Sequence, residues 1–324
     1  MWVVSNDCPF FACDHCLLLS ILQLMTKAIL IWLAAIAVTS PSASPAATPE
    51  PLTLKPSSKW QVNYADDKCR LVRLFGEGDQ AVILFMDRYG PSESFRLTIA
   101  GKPFRTSVEK GEAQIQFGPR EQEQQLSFLN GNLGVKPAFV FVGSERIAPL
   151  SDVELAQSKI LPEDAQTPIQ SISAERAKAV TFLRIGKPLR TAVILETGPL
   201  QAPFAALDKC IDDLLTTWGV DVERHKTLSQ PAKPLLSPGQ WITSSDYPLQ
   251  MLDTGQPGLV NFRLSIGADG IPTACYIQAT TRNKAFDDAV CKSVMRRARF
   301  SPALDAQGQP IATYYQNAVR FQLP

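Results

Sequence analysis

Few residues of this chain have the type and spacing that chemistry requires. His225 has Asp221 and Glu223 nearby, but no nucleophile motif accompanies it. A triad has nothing to work on there, and the histidine reads as a solvated surface residue. Asp66-Asp67, Asp212-Asp213 and Asp287-Asp288 are adjacent carboxylates. On a helix such neighbours point about 100° apart and rarely share a proton. Asp212 and Asp213 therefore read as a solvated face, and Asp287 and Asp288 as charge favoured at a helix start. Cys8, Cys13, Cys16 and His15 imitate metal-ligand spacing, but an apolar segment follows at once, and the cluster reads as chance. Gly76-x-Gly78 lacks the third glycine of a phosphate cradle and reads as a turn. Arg296-Arg297-x-Arg299 closes a predicted helix, where the dipole favours cations, or else meets an acidic partner. No catalytic residue, cofactor or metal is expected.

Composition narrows the classes further. The 324 residues carry 32 Lys and Arg against 31 Asp and Glu, a net charge of +1. That balance gives no support to a nucleic-acid surface, which needs clustered excess cations. Of seven cysteines, Cys69, Cys210, Cys275 and Cys291 lie beyond the hydrophobic segment. An even number in an exported part suits a disulfide framework, and four cysteines allow three pairings. Cys275 and Cys291 are nearest in sequence and can face one core, a loop whose closure contributes roughly 3 kcal/mol. Cys69 with Cys210 is then the remaining pair; four reduced, buried thiols are the other reading.

The elements that position these residues are plainest at the C-terminal end. Val260, Phe262, Leu264 and Ile266 alternate with Asn261, Arg263 and Ser265, the period of a half-buried strand. Asp269-Gly270 is a two-residue hairpin signal. Cys275, Ile277 and Ala279 continue an apolar face on the return strand. Phe286, Val290, Val294 and Ala298 fall four apart, which predicts an amphipathic helix over 284–299. Tyr315, Val319, Phe321 and Leu323 supply a final strand.

Together with Tyr247-Pro248, Gly258-x-Val260, Asp269-Gly270, Phe286-Asp287 and Arg299-Phe300-x-Pro302-Ala303, this stretch resembles the C-terminal domain of TonB-type energy transducers, over about a quarter of the chain. The resemblance implies a periplasmic ββαβ module that pairs with short peptide segments of outer-membrane receptors. By that likeness the strand at 313–322 is the working edge, with the 241–248 lead-in near the peptide's path. The implied partner-binding residues are Tyr247, Pro248, Thr313, Tyr315, Asn317, Val319 and Phe321. Such modules also dimerise through these strands, so a homodimer is a second expectation.

Upstream, residues 60–225 read as a β-rich domain. Short apolar runs at 69–75, 81–86, 95–99, 113–117, 125–129 and 138–142 are separated by turn signals, among them Asn130-Gly131-Asn132, which suggests a sandwich or barrel. A helix is expected over 173–184 from the Ser173 cap, a strand over 191–196, and a helix over 202–218 closed by Gly219. Cys69-Arg-Leu, Lys209-Cys210-Ile-Asp-Asp-Leu-Leu and Trp218-Gly219 resemble a domain preceding TonB-like modules in some sphingomonad-type bacterial proteins. Residues 226–240 read as a Pro/Ser-rich linker into a domain over 241–324. The fold class expected is α+β, a β-rich domain followed by a TonB-like ββαβ domain.

The first 24 residues carry Asp7 and Asp14 but no Lys or Arg, unlike an export signal. Met25-Thr-Lys, the apolar run 28–38 and small residues after Ser40 predict translation from Met25 and a signal peptide over 25–46. A short Pro/Ala/Ser linker over 47–59 replaces the long Pro-rich arm of TonB-type proteins. The expected function is a periplasmic protein-binding module that pairs with a peptide of an envelope or outer-membrane receptor protein. If 17–38 stays uncleaved as a membrane anchor, the alternative is an inner-membrane energy transducer. Self-association is the structural alternative.

Overall fold

The structure, a computed structural model, describes residues 49–141, 143–149, 172–280 and 283–323. The expected start at Met25, the signal peptide, the Cys8-Cys13-Cys16 cluster and the first residues of the 47–59 linker lie outside them. The apolar runs of the upstream region become strands of a single ten-stranded sheet. In chain order these are β1 (Leu52–Leu54), β2 (Gln61–Tyr64), β3 (Cys69–Phe75), β4 (Val82–Arg88), β5 (Arg96–Ala100), β6 (Lys110–Phe117), β7 (Gln124–Leu133) and β8 (Lys136–Phe141). After helix α1 (Ala174–Ala179) come β9 (Leu183–Ile185) and β10 (Val193–Leu195). The order across the sheet is β1-β10-β9-β6-β7-β8-β5-β4-β3-β2.

Strand alternation explains which face is inside. Cys69, Leu71 and Phe75 of β3 face Val82, Leu84 and Met86 of β4 in the core, while Arg70, Val72 and Leu74 point away. The sheet curls until one segment touches both of its ends. β1 runs parallel to β10, and just beyond it Ser57 N–H donates to Leu74 O at 2.9 Å and Gly76 N–H to Lys55 O at 2.8 Å. That contact covers backbone which an open sheet would leave unpaired. Helix α2 (Gln201–Thr217) turns Phe204, Leu207, Cys210, Ile211 and Leu214 into the same core, and Gly219 closes it at φ 79°. The Cys69–Cys210 disulfide ties α2 to β3.

Two local expectations change. The helix expected over 173–184 stops at Ala179, because Leu183 and Ile185 alternate about Arg184 and pair with both β6 and β10. Sheet pairing overrides weak helical periodicity there. Asn130-Gly131-Asn132 is not a turn but belongs to the C-terminal part of β7, with Asn130 Nδ2 donating to Thr106 O at 3.1 Å. The reversal falls at Gly134, whose φ of 60° suits glycine.

Helix α3 (Val222–Lys226) leads into the C-terminal region. Residues 226–240, expected as a linker, are laid against that region. β11 (Lys233–Pro234) pairs with β14 (Phe300–Ser301), and Gln230 bridges Leu304 of β15 (Ala303–Leu304), which itself pairs with β16 (Pro310–Ile311). Helix α4 (Leu249–Asp253) precedes β12 (Gly258–Ile266) and β13 (Pro272–Thr280). The β12–β13 loop spans Gly267 to Ile271 rather than two residues, because Gly270 is tied down: its carbonyl accepts from Phe300 N–H at 3.0 Å. A Cβ at Gly270 would strike Phe300 O, and its φ of 77° suits glycine as well. Helix α5 (Lys284–Arg297) and strand β17 (Thr313–Phe321) complete a ββαβ unit in which the sheet order is β13-β12-β17. Val260, Phe262, Leu264, Ile266, Phe286, Val290 and Val294 make its core, and the Cys275–Cys291 disulfide joins β13 to α5. Both cysteine pairings match the expectation from the sequence.

Candidate functional site

Among the described residues β17 pairs with β12 alone, from Thr313↔Ile266 to Phe321↔Gly258. In an antiparallel ladder the main-chain groups of alternate residues point away from the partner. The N–H of Ala318 does so: Asn317 Oδ1 takes it at 2.7 Å. The period of two then turns the main chains of Tyr314, Gln316, Ala318 and Arg320 outward. Among the described residues none of them bonds to other backbone on that side. Ala318 and Arg320 are exposed.

The residues implied by the resemblance divide accordingly. Thr313, Tyr315 and Phe321 direct buried side chains inward, Tyr315 lying between Trp241 (centroids 5.5 Å) and Phe300 (5.0 Å). Asn317 and Val319 are half-buried, and Asn317 Nδ2 donates to Tyr315 Oη at 2.9 Å. Tyr247 packs edge-on against Phe286 and Phe321, and its hydroxyl donates to Gln256 O at 2.6 Å. Pro248 caps α4. The lead-in is pinned by Asp246, which accepts from Arg297 Nη1 at 2.6 Å, Ser293 Oγ at 2.8 Å and Thr243 N–H at 2.8 Å. The Arg297 guanidinium, followed by these other donors, holds the Asp246 carboxyl well below the usual carboxylate range. Arg297 also donates to Trp241 O at 2.6 Å, so it ties the lead-in to α5 besides ending that helix.

The sheet face away from α5 is where the sequence reading missed most. Its polar residues look solvated in sequence, yet they meet the upstream region. The guanidinium of Arg263, only 4% exposed, lies between the rings of Trp218 (4.0 Å) and Tyr276 (4.1 Å). Gln316 Nε2 donates to Tyr89 O at 2.5 Å and to Gln278 Oε1 at 2.9 Å, and Gln278 Nε2 donates to Asp67 O at 3.2 Å. Arg96 of β5 donates to Asn261 Oδ1 at 2.7 Å. Tyr314 stacks on His225 at 5.4 Å and meets Trp218 edge-on at 5.4 Å. His225 thus departs from its expected role as a solvated residue: it is half-buried, with Nε2 3.0 Å from Thr313 Oγ1. α3 thus reaches the start of β17 through side-chain contacts to Thr313 and Tyr314.

Burial pushes the His225 ring below its ordinary value. As pH falls below about 6.5 the unfolded chain takes up a proton that the folded ring refuses. Stability present at neutral pH is thus lost on acidification, until the folded ring also protonates. His225 is the only histidine among the described residues. Denaturant unfolding at neutral and mildly acidic pH is expected to show this loss in the wild type and less of it in His225→Gln. Equal losses in both proteins would refute the assignment.

A three-stranded antiparallel sheet with one helix on its face, and with β13 and β17 as its two edge strands, defines a small α+β module of a kind that can take part in strand pairing. Residues 243–323 match the family model for the C-terminal domain of Gram-negative bacterial TonB proteins. The match begins at the Thr243–Asp246 cap, ends just beyond β17, and covers about a quarter of the chain. Domains of this family act in the cell envelope and interact with proteins such as outer-membrane receptors. No curated protein matches the chain. Among the described residues no helix is long and apolar enough to cross a membrane, and no group of three His, Cys, Asp or Glu residues is placed to hold a metal.

Proposed function

We propose that the chain is a periplasmic protein-binding protein that adds an extended peptide of an envelope or outer-membrane protein to the free edge of β17. The observation that carries this reading is the edge of nine-residue β17, where Ala318 N–H is turned away from β12 and has no main-chain partner among the described residues. Main-chain bonds from Gln316, Ala318 and Arg320 supply affinity, and side chains on the two faces supply selectivity. Asn317 caps Ala318 N–H in the free protein, which protects the edge from unwanted pairing and is displaced on capture. The two disulfides support an oxidising compartment.

Proline at 318 removes an outward donor while sparing the ladder with β12, whereas proline at 319 strikes that ladder. Ala318→Pro is expected to weaken retention on an array of envelope-protein peptides at least about tenfold with the fold intact, since main-chain bonds supply the affinity of an added strand. Ala318→Val, which keeps the N–H, is expected to retain binding. Undiminished capture by Ala318→Pro would sink the proposal.

A further inference from the structure

We infer that the upstream region completes the peptide site, and that Arg96 selects peptides carrying an acidic side chain on the face of β17 away from α5. This rests on strand pairing at β17 and names the partner's chemistry. Asn261, which Arg96 reaches at 2.7 Å, is the direct cross-strand neighbour of Ala318. The Ala318 side chain is a methyl group, so nothing large on β17 stands between that guanidinium and the open edge. Arg320 projects to the same face two residues on and is exposed.

The local charge is uncompensated. The cross-strand neighbour of Arg96 is Asp87, but Asp87 is already held by Arg70 at 2.6 Å and Lys68 at 3.4 Å. Among the described residues neither Arg96 nor Arg320 forms an ion pair with a carboxylate. Arg96 is steadied by the Tyr89 ring, 4.7 Å from its guanidinium carbon, so it is presented with little freedom left to lose. An added strand lies about 4.8 Å beyond β17 and about 10 Å from β12. A glutamate on it, opposite Ala318 and leaning inward, meets an arginine that already extends to Asn261. At the opposite end the Tyr314 side chain is covered by the rings of His225 and Trp218.

The test uses the full-length, disulfide-bonded chain and a fluorescein-labelled peptide of alternating Val and Thr. One Glu is moved in turn through its central positions, and a matched series carries Gln. For one Glu position the wild type is expected to bind about fivefold tighter than to the Gln counterpart, with the gap closing in high salt. Arg96→Gln is expected to bind both peptides alike at the wild-type Gln-peptide affinity. Arg96→Glu is expected to favour Gln, and Arg96→Lys to restore part of the preference. Equal binding of both series by the wild type overturns the inference and leaves strand pairing standing. So does a preference that survives in Arg96→Gln, or equal loss of both peptides in that variant. Failure of every peptide to bind the wild type overturns the inference and the strand-pairing reading together.

Discussion

Replacing Cys69 and Cys210 with serine is expected to lower stability by about 5 kcal/mol or more, a larger loss than removing the second disulfide. The bond spans a sequence separation of 141. On the chain-entropy estimate, closing a loop of that length restricts the unfolded chain by about 5 kcal/mol, against about 3 kcal/mol for the separation of 16 at Cys275–Cys291. Both sulfurs lie in the fully packed core between β3 and α2, so the serine hydroxyls add a cost of their own. Guanidinium unfolding of the two double-serine variants checks the order. A larger loss from Cys275→Ser with Cys291→Ser would contradict it.

Tyr314→Ala is expected to cost about 3–5 kcal/mol, the range for truncating a buried aromatic side chain. The residue belongs to the C-terminal sheet by backbone but to the upstream core by side chain. It is 5% exposed, its hydroxyl raised far above the ordinary phenol range by burial. Removing its ring strips His225 and Trp218 of a shared partner and opens the contact between the two apolar clusters. Scanning calorimetry is expected to show one transition in the wild type and a split, earlier pair in the variant. A single unshifted transition in Tyr314→Ala would show that the two clusters do not depend on this contact.

Much of the C-terminal unit was legible because its apolar residues keep strict periods. Val260 to Ile266 alternate, Phe286 to Val294 fall four apart, and Arg299-Phe300 follows where the Gly270 loop must be tied. The disulfides were legible from count and facing. The interface on the second sheet face was not. Asn261 and Arg263 are the polar half of an alternating strand, and neither they nor Gln316 carry a sequence signal of what covers them. Their partners are the side chain of Arg96, the ring of Trp218 and the carbonyl of Tyr89, each distant in sequence. A main-chain carbonyl leaves no trace in composition. His225 failed for the same reason, since the Tyr314 ring that covers it is 89 positions away in the sequence. The odd-numbered residues of β17 were implied as partner-binding by the family resemblance; Thr313, Tyr315 and Phe321 have buried side chains, while Ala318 turns its N–H away from β12.

The Cys69–Cys210 bond also has a mechanical consequence. Tension entering from the amino-terminal side first meets β1 and β2, which peel from the sheet ends. At Cys69 it passes through the sulfur bridge directly to Cys210 and onward to the terminal sheet. The chain between the two cysteines is then hidden length, about 480 Å of contour at roughly 3.4 Å per residue, which cannot be paid out while the bridge holds. Under load the large upstream sheet is bypassed, and the stretch that feels the pull runs from Cys210 in α2 to the edge of β17.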